Sequence, residues 1–191
     1  MTFSRPSARP LLIAGLSLSG ILYPLLVYFG QGQVSSLTLV AVSLALIALR
    51  LLVSARTVFA QLRVPLLFAA AGIAALAYLD DAIAVLIYPV FISLCLAVGF
   101  GCSLRQPPSL IERFARLRDP DLPDGAIEYC RKVTIVWTVF CLSNAMIAAA
   151  TALWGSIEVW TFWNAGLSYV LLGTLVIGEM IVRRQVRSQF S

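Results

Sequence analysis

The sequence predicts an all-α polytopic membrane protein, a bundle of six transmembrane helices carrying one cytoplasmic amphipathic interfacial helix. Three observations carry that reading. Of 191 residues, 60% are apolar or aromatic and 12% are charged, too few charges to cover a soluble domain of this size. The apolar residues gather in stretches near the ~20 that cross a ~30 Å hydrocarbon core, parted by short polar joints. The 14 basic residues fall on alternate joints. A soluble globular chain, a disordered chain and a nucleic-acid binder are thereby excluded. With no histidine, the chain also lacks every His-based triad, zinc site and haem ligand.

A single integral membrane domain over 1–191 is expected, with spans at about 11–29, 34–53, 60–79, 82–102, 133–154 and 163–182. A signal peptide is the rival reading of residues 1–30, but the apolar run is long for one and no small-x-small cleavage site follows it. The third span is the weakest, and Arg63 has to snorkel at its end. Arg50 ends the second span and can snorkel likewise. Asn144 falls near the middle of the fifth, on a stripe with Trp137, Cys141, Ala148 and Thr151. An interhelical hydrogen bond is its ordinary explanation and a substrate contact the sharper one. Glu179, four residues before Arg183, reads as an i, i+4 ion pair in the sixth.

Charge sets the orientation. Arg5 and Arg9 precede the first span, while Arg50, Arg56 and Arg63 flank the second joint. Arg105, Arg113, Arg116, Arg118, Arg131 and Lys132 lie around the fourth, and Arg183, Arg184 and Arg187 follow the last span. The opposite joints hold Asp80, Asp81 and Glu158 instead. The positive-inside rule places both termini in the cytoplasm. Five spans would divide the basic residues between the two sides. Tyr28, Tyr78, Trp154, Trp160 and Trp163 fall near the outer span ends, as an interfacial aromatic belt requires, with 154–163 lying on the outer leaflet. Cys95, Cys102, Cys130 and Cys141 show no C-x-x-C spacing, and no disulfide is expected.

Residues 103–132 form the only long cytoplasmic loop. Pro107 and Pro108 stop the fourth span, and Ser109 with Glu112 makes a capping box that opens a helix. Leu110, Ile111, Phe114 and Leu117 share one face of it, with Arg113, Arg116 and Arg118 off that face. Such a helix lies in the inner interface with its arginines near anionic lipid headgroups. Arg113, Phe114, Arg116 and Arg118 are therefore the expected contacts for the phospholipid bilayer or for a cytosolic or membrane protein partner.

Enzyme motifs fail one by one. Asp124-Gly125 is followed by Ala-Ile-Glu-Tyr rather than the x-x-A-R of alcohol phosphatidyltransferases, and Asp80-Asp81 is followed by Ala-Ile-Ala, so it completes neither the D-x-x-x-D nor the D-D-x-x-D array of prenyltransferases. Residues 15–20 read Gly-Leu-Ser-Leu-Ser-Gly, which is no nucleophile elbow. No catalytic, metal-binding or cofactor-binding residue is expected. One internal echo pairs Ile-Leu-Tyr23-Pro24-Leu in the first span with Leu-Ile-Tyr88-Pro89-Val in the fourth. The copies run in opposite directions, as in an inverted repeat with helices kinked at Pro24 and Pro89.

A resemblance rests on Pro107-Pro-Ser-Leu-Ile-Glu-Arg-Phe-Ala-Arg-Leu117, on Leu122-Pro123, and on Arg131-Lys-Val-Thr-Ile-Val-Trp137 with Asn144. These residues resemble a family of uncharacterised bacterial inner-membrane proteins whose genes tend to lie beside fatty-acid-synthase-like and aryl polyene pigment genes. More distantly, residues 80–184 are similar to the intracellular septation protein A family, in the acidic turn, the P-x-x-I-x-R loop, the Leu-Pro, the Trp and the Asn. The resemblance implies the inner membrane and a role around envelope or lipid-linked assembly, and brings no catalytic residue. The expected function is a non-enzymatic scaffold or accessory protein in cell-envelope or lipid-product assembly. The alternative is a small transporter or flippase for a hydrophobic or acyl-linked product.

Overall fold

The computed structural model describes residues 8–54, 60–117 and 119–189, and among them there are helices and turns but no strand. Five stretches are long and apolar enough to cross a membrane: Ser36–Val53, Ala60–Leu79, Tyr88–Arg105, Asp124–Trp154 and Ile157–Arg183. The apolar stretch Leu18–Gly30, at the end of the first helix, is shorter.

Helix α1 (Ala8–Gly30) turns into α2 (Ser36–Ser54), whose first turn is held by Ser35 Oγ accepting from the Thr38 amide at 3.3 Å. A 3₁₀ turn, Ala60–Leu62, feeds α3 (Arg63–Leu79), and Pro65 sits in the opening turn, where its missing amide hydrogen leaves no intrahelical bond unmade. The acidic pair that follows has a structural use. Asp80 is the N-cap of α4 (Asp81–Leu86), accepting from the Ile83 amide at 3.0 Å.

The expected fourth span is two helices, not one. α4 ends at Leu86, Ile87 forms the joint, and α5 (Tyr88–Arg105) begins with Pro89 in its first turn. Pro89 has no amide hydrogen to give the Val85 carbonyl four residues back, so the ladder is interrupted there. Pro24, by contrast, lies inside an unbroken α1. The two copies of the Tyr-Pro echo thus behave differently, though Tyr23 and Tyr88 meet in the core with ring centroids 4.5 Å apart.

After α5, a cis bond joins Pro107 to Pro108 and the short α6 (Leu110–Arg116) follows. Helix α7 (Asp124–Trp154) has 31 residues, about 46 Å at 1.5 Å per residue, longer than a ~30 Å hydrocarbon core. Its surplus is the charged N-terminal stretch, where Lys132 pairs with Glu128 at 2.8 Å. The chain then forms α8 (Ile157–Thr161), a π-helical turn Phe162–Leu167 and α9 (Ser168–Gln189).

The antiparallel α5–α7 pair is the backbone of the bundle. Ser93 faces Asn144, Phe100 stacks on Trp137 at 5.7 Å, and the Leu104 carbonyl receives Arg131 Nη1 at 2.9 Å. Helix α9 is at the other extreme. Only 6% of its apolar stretch is buried against 44% for α5, so most of its surface is left for whatever surrounds the bundle. Trp154 is 82% exposed, but Trp160, expected in the same interfacial belt, is wholly buried and faces the break between α4 and α5. A tryptophan near a span end is equally able to anchor or to pack, and here packing wins. All four cysteines are free thiols.

Candidate functional site

Two irregular backbone segments sit beside each other toward the acidic end of the bundle: the α4–α5 joint and the π turn. The joint leaves carbonyls that helical geometry does not satisfy, and side chains from other helices supply the donors. Tyr23 Oη donates to the Val85 carbonyl at 2.9 Å, and Trp160 Nε1 donates to that of Leu86 at 3.1 Å. The π turn is pinned by Asn164, whose Nδ2 donates to the Trp160 carbonyl at 2.9 Å and approaches Thr151 Oγ1 at 3.4 Å. π turns recur at functional sites, and within a membrane irregular backbone is tolerated where it is buried in protein or lines a cavity.

A cavity of about 400 Å³ lies against these segments. Its walls come from α5, α7, the π turn and α9, completed by Gly20 of α1, Arg50 of α2, and Ile111 and Phe114 of α6. Toward the acidic end the lining is polar, with Tyr88, Ser93, Asn144, Asn164, Ser168 and Tyr169. Toward the basic end it is aromatic: Trp137 stacks on Phe100 and meets Phe140 edge-on at 6.2 Å.

Among the described residues Arg50 is the one charged side chain in this lining. It stands four residues before the end of α2, yet its guanidinium does not reach out toward that end. It donates to Ser19 Oγ in the middle of α1 at 3.4 Å and lies against the Tyr88 hydroxyl, with Tyr169 nearby. Gly20 makes this approach feasible, because a Cβ there would stand 2.7 Å from Tyr169 Oη. Asn144 Nδ2 donates across to Ser93 Oγ at 2.9 Å, while its Oδ1 is buried with no hydrogen-bond partner among the described residues. One amide edge therefore ties α7 to α5 and the other is spare.

The loop residues close the opposite end. Leu110 and Ile111 are buried among Ala97, Phe100, Cys130 and Val133, so the apolar face of α6 is turned into the bundle. The capping box forms, with Ser109 Oγ accepting from the Glu112 amide at 3.4 Å and Glu112 Oε2 accepting from the Ser109 amide at 3.3 Å. Glu112 is buried and its second oxygen holds Arg116 at 2.8 Å. Arg113 is committed as well, donating to Gln61 Oε1 at 2.9 Å and to the Pro108 carbonyl at 2.8 Å. Phe114 lines the cavity. Arg5, Arg56 and Arg118 lie outside the described residues, as do the side chains of Arg9, Arg184 and Arg187. Glu179 pairs with Arg183 at 2.8 Å, and its carbonyl receives the Tyr129 hydroxyl at 3.3 Å, away from the cavity.

Fold and site together define an all-helical protein, with helices able to cross a membrane, around a cavity that is polar at one end and aromatic at the other. Comparison with protein families, with curated proteins and with solved structures finds no match. Of the expected residues, the structure gathers Phe114, Asn144 and Pro89 on one cavity and leaves Glu179 and Pro24 outside it. Arg50, Tyr88 and Asn164 are the residues that hydropathy overlooked. The signal for Arg50 was present, since an arginine a full turn inside a span is a functional candidate by its cost alone.

Proposed function

We propose that the protein is a six-span protein of the bacterial inner membrane, with both termini cytoplasmic. In this reading it is a non-enzymatic scaffold or accessory protein in envelope or lipid-product assembly. The carrying observation is the fixed seat of α6. A loop that only returned the chain to the bilayer would not need a buried Glu112, a capping box and a guanidinium bonded to Gln61. This seat leaves open, at the C-terminal end of α6, a face carrying Leu117, which is 72% exposed although its spacing groups it with the buried Leu110 and Ile111. In the six-span topology that face meets the cytosol and the anionic headgroups of the inner leaflet.

Reporter fusions after Gln33, Asp81, Gly125 and Ser156 test the topology. Only the Gly125 fusion should read as cytoplasmic, and a cytoplasmic signal at Asp81 or Ser156 overturns it. A photo-crosslinker at position 117 tests the scaffold. It should trap one protein partner in cells, whereas trapping lipid alone counts against the reading. The cavity favours a second reading, a small transporter or flippase for a hydrophobic or acyl-linked product. Reconstituted vesicles separate the two, since a scaffold moves nothing across them.

A further inference from the structure

Both readings leave the occupant of the cavity unassigned, and its chemistry can be argued from the lining. Among the described residues the lining holds one permanent cation, Arg50, with hydroxyls and amides around it and no acidic residue. In surroundings of low dielectric a guanidinium in a wall lined otherwise by neutral groups attracts an anion strongly. Intramembrane arginines in such positions mark ligand paths. The polar groups are also segregated. Seven residues of α5 separate Ser93 from Phe100, about 10 Å at 1.5 Å per residue, and beyond Phe100 the wall is aromatic. A ligand matched to this lining has one charged end and one apolar end. The volume, about 400 Å³, is low in the ~300–1,000 Å³ range of small-molecule pockets, which suits one chain rather than two.

We propose that this cavity binds a single-chain amphiphile with an anionic head, the head on Arg50 and the chain along Phe100, Trp137 and Phe140. Tyr88 and the spare carbonyl edge of Asn144 flank the head. That edge accepts from a water bound beside an ionised carboxylate head, or from the remaining hydroxyl of a singly ionised phosphate head. The site stands whether the protein scaffolds or carries, because it needs only a bound molecule.

Trp137 is a built-in reporter. The purified full-length protein, in an uncharged detergent, is titrated with a bromine-substituted fatty acid while tryptophan fluorescence is followed. Saturable quenching is expected, with the saturable component lost in Trp137→Phe. Competition then sorts the chemistry: the unbrominated fatty acid and the matching alkyl phosphate displace the probe. The matching alcohol, having no charge for Arg50, is weaker by about tenfold or more. Acetate and inorganic phosphate, having no chain, do not displace it. Arg50→Gln weakens the fatty acid by about tenfold or more, and Arg50→Lys restores part of the loss. The proposal is overturned if the alcohol competes as well as the fatty acid against wild-type protein, a comparison that needs no variant. It is equally overturned if folded Arg50→Gln binds undiminished, or if inorganic phosphate alone empties the site.

Discussion

Replacing Tyr23 by Phe removes one oxygen atom and no packing surface, so its effect reads the hydroxyl's bonds, to the Val85 carbonyl and to Ser43, and a second variant singles out the first. In an ordinary helix that carbonyl would be served by the amide four residues on, but position 89 is proline. An orphaned buried carbonyl costs about 1–3 kcal/mol in general, whereas hydrogen bonds between membrane helices average about 0.6 and reach about 1.7. With both residues at a buried joint that has no backbone donor, Tyr23→Phe should cost about 1–2 kcal/mol. The decisive arm is Pro89→Ala. Ile87 already has helical φ and ψ, so an alanine at 89 places an amide hydrogen within reach of Val85. In that background the tyrosine hydroxyl is partly redundant, and the same substitution should cost about 0.5 kcal/mol or less. Reversible unfolding in mixed micelles, read by circular dichroism for all four proteins, gives a coupling energy of about 1 kcal/mol. Equal costs in the two backgrounds, within ~0.3 kcal/mol, would refute the assignment of Tyr23 as the substitute donor for the break.

Three further outcomes follow from other contacts. Asn144→Leu removes the bond to Ser93 and should cost about 1 kcal/mol or less, with Ser93→Ala adding nothing further in the double variant; a loss several times larger would show that Asn144 does more than tie two helices. Ser109→Ala removes the cap of α6 and should cost about 1 kcal/mol locally, seen as faster proteolysis within 103–123 while the unfolding midpoint barely moves. At Gly72 a Cβ would stand 2.6 Å from Phe91 Cζ, so Gly72→Ala should destabilise by about 1–3 kcal/mol through overpacking, and Phe91→Leu in the same chain should recover most of it.

Much of the fold was legible because hydropathy and capping are local. The apolar blocks around α2, α3, α5, α7 and α9, the Ser109–Glu112 capping box and the Glu179–Arg183 pair all depend on residues within a turn or a span of one another. The break after Leu86 was half legible. Pro89 announced a defect, yet Pro24 announced the same one and α1 runs straight through it. What distinguishes them is which neighbours offer donors, and that is a property of packing. The cavity was the least legible part. Asn144 was visible as a polar residue in mid-span, but Arg50 near a helix end reads as a snorkelling residue until Ser19 and Tyr88 are seen around it. For the same reason a periodicity that turns α6 apolar on one side cannot say whether lipid or protein covers that side.

The donors at the α4–α5 joint come from far along the chain, 62 residues before Val85 and 74 after Leu86. A ribosome delivers these partners at very different moments. Tyr23 is already in place when the joint is made, but Trp160 is added only after α7 has been completed. Until then the Leu86 carbonyl lacks its indole partner, and the joint is only half supported. The joint is therefore complete only once α8 has been made. A chain cut short after Trp154 keeps the α5–α7 pair, yet never acquires that last bond, and such an unfinished joint is the kind of defect that membrane proteases are positioned to find.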